Sequence, residues 1–308
     1  MTKMLAFPLL LAAACFAADN PLNGRWDIEV LDQKVPVGWW LEVRDAGTSK
    51  ASARFVGAPS GQMDTAERLR IRGGELRFQV RGKRFKYKGE WSAKLNGDLL
   101  EGTHTTAKRP LVRWVGRRAP VIAEQDDGSW HEGAPVVLCA GKDVSNWLPL
   151  DTSKPLGWVA KDGIMTNQGR ANNIYSRQKF WNFALHVEYR VQKGSNSGLG
   201  LRGRYEIQIM DDYGRAIDGH SSGGVYGRVR PTTNATRPAG EWQTYDIRLV
   251  GRICTVVLNG VKIIDKKEIE GLTAIAIDSG EGSPGPLVIQ GDHGMAEFRS
   301  VVVTPLVQ

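Results

Sequence analysis

Apolar and polar residues alternate with a period of two along almost the whole chain, and no segment keeps a helical period across three turns. In an extended backbone, successive side chains point to opposite faces, so this pattern commits the chain to half-buried strands and an all-β fold. At 308 residues the chain is longer than most single cores hold, which predicts two domains. Hydrophobic residues at 41% and charged residues at 24% fit an ordinary globular protein and exclude a disordered or fibrous one.

The first eighteen residues read as an export signal and are left out of the fold. Lys3 gives the positive start, residues 5–14 an apolar run too short to span a bilayer, and Ala17 and Ala18 a small-residue cleavage site. Cys15, after three alanines, loosely matches a lipoprotein box, so a lipid anchor at Cys15 is the alternative to cleavage near Ala17. Either outcome predicts a periplasmic or secreted protein. Cys139 and Cys254 lack neighbours at metal-ligand spacing, leaving one disulfide or, as favoured here, two separately buried thiols. The net charge is +8, and the densest basic stretch joins Arg77 to Arg81, Lys83, Arg84, Lys86 and Lys88, interleaved with Phe78, Phe85 and Tyr87. In an exported protein this reads as the solvated outer face of strands, with no nucleic-acid partner.

Strands are predicted at 25–30, 38–43, 53–56, 76–80, 85–91 and 111–115, with turns at Asn23-Gly24, Gly73-Gly74 and Asn96-Gly97. They give a small antiparallel β-barrel or sandwich domain over residues 19–118. Alternation lapses over 119–132, around Pro120, Asp126, Asp127 and Gly128, which marks a linker. Residues 133–308 form the second domain, with strands at 174–176, 183–191, 198–202, 205–210, 224–226, 244–250, 253–258, 261–265, 285–290 and 297–303. So many short antiparallel strands suit a two-sheet jelly-roll sandwich with one concave sheet.

Within this second domain a series of phrases occurs in fixed order. It opens with Leu138-Cys139-Ala140-Gly141-Lys142-Asp143 and Trp147, then Trp158 with Asp162-Gly163, then Phe183-Ala184-Leu185-His186-Val187-Glu188-Tyr189-Arg190. Gly194-Ser195-Asn196-Ser197-Gly198, Tyr205-Glu206-Ile207-Gln208-Ile209 and Gly224-Val225-Tyr226-Gly227 follow, and Glu241-Trp242, Leu258-Asn259-Gly260, Gln290 and His293-Gly294 complete it. Over about residues 131–305 the chain resembles the 3-keto-disaccharide hydrolase domain family; the N-terminal domain is not covered. Cys139-Ala140, Gln243 and Ser300 depart from the family's usual residues. The resemblance implies a concanavalin-like sandwich acting on glycosides already oxidised at C3 by a separate sugar dehydrogenase, with either hydrolysis or elimination as the outcome.

The residues carry a chemical reading of their own. Glu206 and Gln208 share one face of a strand whose other face, Tyr205, Ile207 and Ile209, is apolar; the polar pair is expected on an exposed, concave surface. Arg202 joins them if the chain runs straight through Gly203, whereas a turn there breaks the parity. Ordinary glycosidases need two carboxylates, ~5.5 Å apart in retaining enzymes. Gln208 cannot be the second. A 3-keto sugar needs only one base for the C2 proton, a cation for the developing enolate and an acid for the leaving oxygen. Glu206 is the first candidate for base or acid, His293 the second, and Arg202 the electrostatic partner. Asn196, Gln208, Tyr226 and Gln290 have the tips expected of residues that hold sugar hydroxyls. A divalent cation near Glu206 and His293 is the one cofactor considered; it would carry the enolate charge in place of Arg202.

Each assignment has a structural rival. Glu206 and Arg202 could be a cross-strand ion pair, His293 a loop residue and Asn196 a turn former; His186, Glu188 and Arg190 fit an outer strand face, with Glu188 near the site if that face is concave, and Asp211 with Asp212 are either a divalent-cation ligand pair or, as favoured here, a solvated strand end. A non-catalytic, lectin-like carbohydrate-binding envelope protein is the alternative function, and a structural envelope protein with a docking barrel is a third. A binder should show aromatic platforms and tolerate loss of Glu206.

Overall fold

The computed structural model describes residues 20–57, 61–80, 89–106 and 109–308. The segment expected to be an export signal, with Cys15, and the basic residues from Arg81 to Lys88 lie outside the described residues.

Eight antiparallel strands close into a barrel, which resolves the choice between barrel and sandwich for the first domain. They are β1 (Gly24–Val30), β2 (Gly38–Arg44), β3 (Ser52–Val56), β4 (Met63–Arg72), β5 (Glu75–Val80), β6 (Gly89–Asn96), β7 (Leu99–Thr106) and β8 (Arg109–Arg118). β8 pairs back onto β1, so no edge is left open. Trp26, Leu41, Phe55, Phe78, Trp91 and Trp114 point inward and are buried. These rings fill the lumen, with Phe78 and Trp91 stacked 5.7 Å apart, so the barrel is a packed core.

The remaining chain folds into two sheets packed face to face. The larger is built around the strands Phe183–Val191, Gln243–Val250, Ile253–Leu258 and Ala296–Val307. The smaller runs in the spatial order Trp147–Pro149, Ile174–Phe180, Gly285–Ile289, Asn196–Leu201 and Tyr205–Met210. Phe183–Val191 alternates strictly between buried and half-buried residues. Its outward side chains pair across the sheet, His186 with Asp246, Glu188 with Arg299 and Arg190 with Glu297. Residues 224–226 differ from expectation: only Val225 forms isolated bridges, to Ile207 and Val229, because the glycines around it turn the chain. Cys139 and Cys254 are buried and unpaired.

The connecting segment is strapped to the sandwich. Trp181 Nε1 donates to Glu124 Oε1 at 2.9 Å, Arg248 Nε to Asp126 Oδ1 at 3.1 Å, and Arg252 Nη2 to the Pro120 carbonyl at 3.1 Å. The barrel itself meets the sandwich through a small apolar cluster of Trp40, Val56, Leu272 and Ala276, with Met63 against it. Arg54 bridges to Glu270 at 3.0 Å beside this cluster.

Candidate active site

The strand Tyr205–Met210 pairs with Asn196–Leu201 in a register that sets Gly198 opposite Gln208 and Gly200 opposite Glu206. Tyr205, Ile207 and Ile209 go to the core, and Glu206 and Gln208 share the other face. The partner glycines are what this face needs. A Cβ at Gly198 would lie 2.7 Å from Glu206 Oε1, so the carboxyl group rests on bare backbone. The strand's outer edge is capped: Gln208 N donates to the Gly224 carbonyl and Tyr226 N to that of Glu206, so the backbone of Tyr226 pairs directly with that of Glu206.

Expected to be exposed, this face is covered. Glu206 keeps 5% exposure and Gln208 2%, because residues 274–276 and the barrel roof them over. The roof leaves a cleft of about 550 Å3. Asn196, Glu206, Gln208, Tyr226, Gln290 and His293 all line it. Sequence reasoning missed Asp292 and Asn173, which line it too. Asp292 was legible as the neighbour of His293, but nothing local marks Asn173, whose Oδ1 accepts from the Gly291 amide at 2.7 Å. From the other side, Asn167 Nδ2 donates to the carbonyls of Gly291 at 2.9 Å and Gly294 at 2.8 Å, so the turn carrying His293 is held rigidly.

Arg202 is not part of the cleft. Gly203 N donates to the Gly200 carbonyl and Arg204 N to that of Leu201, so the chain turns where straight passage would have kept Arg202 on the Glu206 face. Arg202 takes the left-handed φ of 52° in that turn and is fully buried. Its guanidinium stacks 4.1 Å from the Trp181 ring centroid and donates to the Gly251 carbonyl. Burial pushes its pKa below the ordinary arginine value. Its place is structural, under the strapped linker, and the ion pair with Glu206 does not form either. Asp212 is buried, with Oδ2 accepting from Ser222 N at 2.9 Å, and so is no solvated strand end.

The cleft sets three titratable groups against one another. Burial drives the Glu206 pKa up to about 7; the His293 charge works against this shift and Asp292 adds to it. His293 Nδ1 lies 2.6 Å from Asp292 Oδ1, and that hydrogen bond raises the imidazole above its usual pKa. Burial pushes Asp292 up, but the hydrogen bond and charge of His293 outweigh it and hold the carboxylate below its usual range. The result is a buried carboxyl poised near neutrality in the same cleft as a carboxylate-backed imidazole. Gln290 Oε1 is buried without a hydrogen-bond partner, ready for a donor such as a sugar hydroxyl. Gln208 Oε1 accepts from the Ile209 amide at 3.0 Å. Among the described residues, no group of three or more His, Cys, Asp or Glu side chains is placed to hold a metal ion.

The polar side chains that line this cleft lie within residues 134–304, the stretch that matches the family described as 3-keto-alpha-glucoside-1,2-lyase-like domain. The chain belongs to that family. No curated protein matches the chain. Among solved structures, a candidate glycosyl hydrolase from Parabacteroides distasonis ATCC 8503 is 26% identical, with a TM-score of 0.47 over 59% of this chain and 90% of that one. Two further candidate glycosyl hydrolases from that organism are 22% and 19% identical, with TM-scores of 0.45 and 0.46, each over 56% of this chain and over 100% and 94% of their own. The lyase-like domain thus carries the polar side of the cleft, and its family supports a glycoside-directed enzyme.

Proposed function

We propose that this protein cleaves 3-keto-glycosides by removing the C2 proton and expelling the C1 substituent. The observation that carries the reading is the single buried carboxyl of Glu206, with a pKa of about 7, in the same cleft as the Asp292–His293 pair. A C3 ketone acidifies the C2–H bond. Glu206 takes that proton, the electron pair moves through C2 to the C3 oxygen as an enolate, and collapse of the enolate forms the C1–C2 double bond as the C1–O bond breaks. The imidazolium of His293, kept charged by Asp292, supplies the positive field for the enolate and a proton for the departing oxygen. Water added later to C1 turns elimination into net hydrolysis.

Two features favour this route over an oxocarbenium one. Gln208 occupies the alternate strand position where a second acid would stand, and the other carboxylate of the cleft, Asp292, is engaged by His293. Tyr226 is the one Tyr, Trp or Phe among the described residues lining the cleft, which supports an enzyme pocket over a lectin platform. The substrate would come from a separate enzyme oxidising the C3 hydroxyl, in the compartment reached through the export signal.

The test mixes the protein lacking residues 1–18 with a chromogenic 3-keto-glucoside and with the unoxidised glucoside. Aglycone release from the ketone alone, reduced about 100-fold or more in Glu206→Gln, is the expected result. Equal release from both sugars, or full activity in Glu206→Gln, overturns the proposal.

A further inference from the structure

The cleft is not built by the sandwich alone. Val35, Pro36 and Val37, in the connection between β1 and β2, and Gly61, between β3 and β4, line it together with the polar residues of the sandwich. This connection is held at both ends. Leu31 N donates to the Arg113 carbonyl at 2.8 Å, and Gly38 N donates to the Ala276 carbonyl at 2.8 Å. Gly38 lies so close to the sandwich that a Cβ would run into the Asp278 carbonyl, and a Cβ at Gly61 would lie 3.1 Å from that of Ala274. Trp40 anchors the same face of the barrel, against bare Gly271 on one side and with the Arg228 guanidinium 4.0 Å from its ring centroid on the other. The barrel is therefore pressed onto the segment that carries Ala274, Ile275 and Ala276, and it completes the wall they begin.

The two walls differ in chemistry. Glu206, Gln208, Gln290, Asn196 and His293 come from the sandwich, whereas the barrel adds two valines and a proline beside the apolar 274–276 segment. A glycoside divides the same way. Its oxidised sugar ring needs hydrogen-bond partners at the ketone and each hydroxyl, and the sandwich side supplies them. What is left of the substrate is the group on C1.

Resting on the keto-glycoside reading, we propose that Val35, Pro36 and Val37 form the aglycone subsite, and that it selects an apolar, aryl-type C1 substituent over a second sugar. A sugar there would bury hydroxyls against side chains that offer them no partner, whereas an aryl group loses only its contact with water. The barrel thereby acts as a specificity module for chemistry performed in the sandwich.

The experiment compares kcat/KM for a phenyl 3-keto-glucoside and for a 3-keto-disaccharide of the same anomeric configuration, in the full exported chain and in Val35→Asn and Pro36→Ser. Both positions are only partly covered, so the variants keep the barrel core intact, and a thermal melt checks this. Differences in leaving-group reactivity cancel when each variant is divided by the wild type. The phenyl-to-disaccharide ratio is expected to fall about ten-fold in Val35→Asn, the size of a lost apolar contact in a substrate pocket. An unchanged ratio in both folded variants overturns the subsite. If the wild type turns over neither sugar, the reaction proposal fails on its own, and calorimetric affinities for the same two ligands decide the subsite: a matching selective loss of phenyl affinity supports it, and equal affinities in wild type and variants refute it.

Discussion

Glu206 is a carboxyl group that the fold keeps from water at a cost to stability. Its folded pKa of about 7 exceeds the ordinary 4.5, so the folded chain retains a proton that the unfolded chain releases. Its contribution is therefore fully present below about pH 4.5 and is lost as pH rises to about 7, by up to roughly 3 kcal/mol from the linkage between the two pKa values. Glu206→Gln has no proton to retain. Chemical denaturation at pH 4 and pH 8 should show a smaller drop in unfolding free energy for the variant than for the wild type; identical drops would mean that Glu206 is not held as a buried neutral acid. The position of Glu206 was legible, since strand parity alone puts it opposite Ile207 and beside Gln208. The loss of Arg202 from the cleft was not, because Gly203 is compatible with either a straight strand or a turn, and only the pairing of Leu201 with Tyr205 selects the turn.

At the scale of elements, two barrel strands escaped the period-two reading for different reasons. β4 carries a bulge between Glu67 and Arg70, with Arg68 at a left-handed φ of 52°, which shifts the alternation in mid-strand. β7 buries Leu100 and His104 on either side of half-buried Gly102, a face with one conventional hydrophobe. That face works because its partners are large: His104 stacks 3.8 Å from Trp91, and Trp114 lies across Gly102 where a Cβ would collide with its ring. Gly102→Ala should therefore destabilise the barrel by about 1–3 kcal/mol through overpacking. A denaturant midpoint unchanged from wild type would show that Trp114 can move aside. Gly198 follows the same logic at the cleft, where the missing side chain makes room for a functional group instead of a core ring.

At the scale of the molecule, the junction between barrel and sandwich is charged as well as apolar. Asp27 of β1 is buried against the sandwich, and burial first, then the adjacent Glu281 carboxylate, raise its pKa to about 9, while Arg252 and Arg204 work the other way. Glu281 is itself bound by Arg252, at 2.5 Å, and by the Tyr205 hydroxyl at 2.6 Å. Because the Asp27 pKa is raised, its contribution is complete below about pH 4 and is lost as pH climbs towards 9. Asp27→Asn should flatten the fall in melting temperature across that window; a variant that loses stability as steeply as the wild type would exclude Asp27 as the titrating group at the junction. The sequence by itself determined the all-β class, most strands of the lyase-like sandwich from residue 174 onward and the face that bears Glu206 and Gln208, because side-chain alternation and asparagine-glycine turns are local properties of an extended chain. Only the tertiary structure decided that the barrel closes, that its β1–β2 connection walls the cleft, that His293 is backed by Asp292 in the same cleft as Glu206, and that Arg202 faces away. Those outcomes depend on contacts between residues far apart in the chain and on how deeply each is buried, and local periodicity holds no record of either.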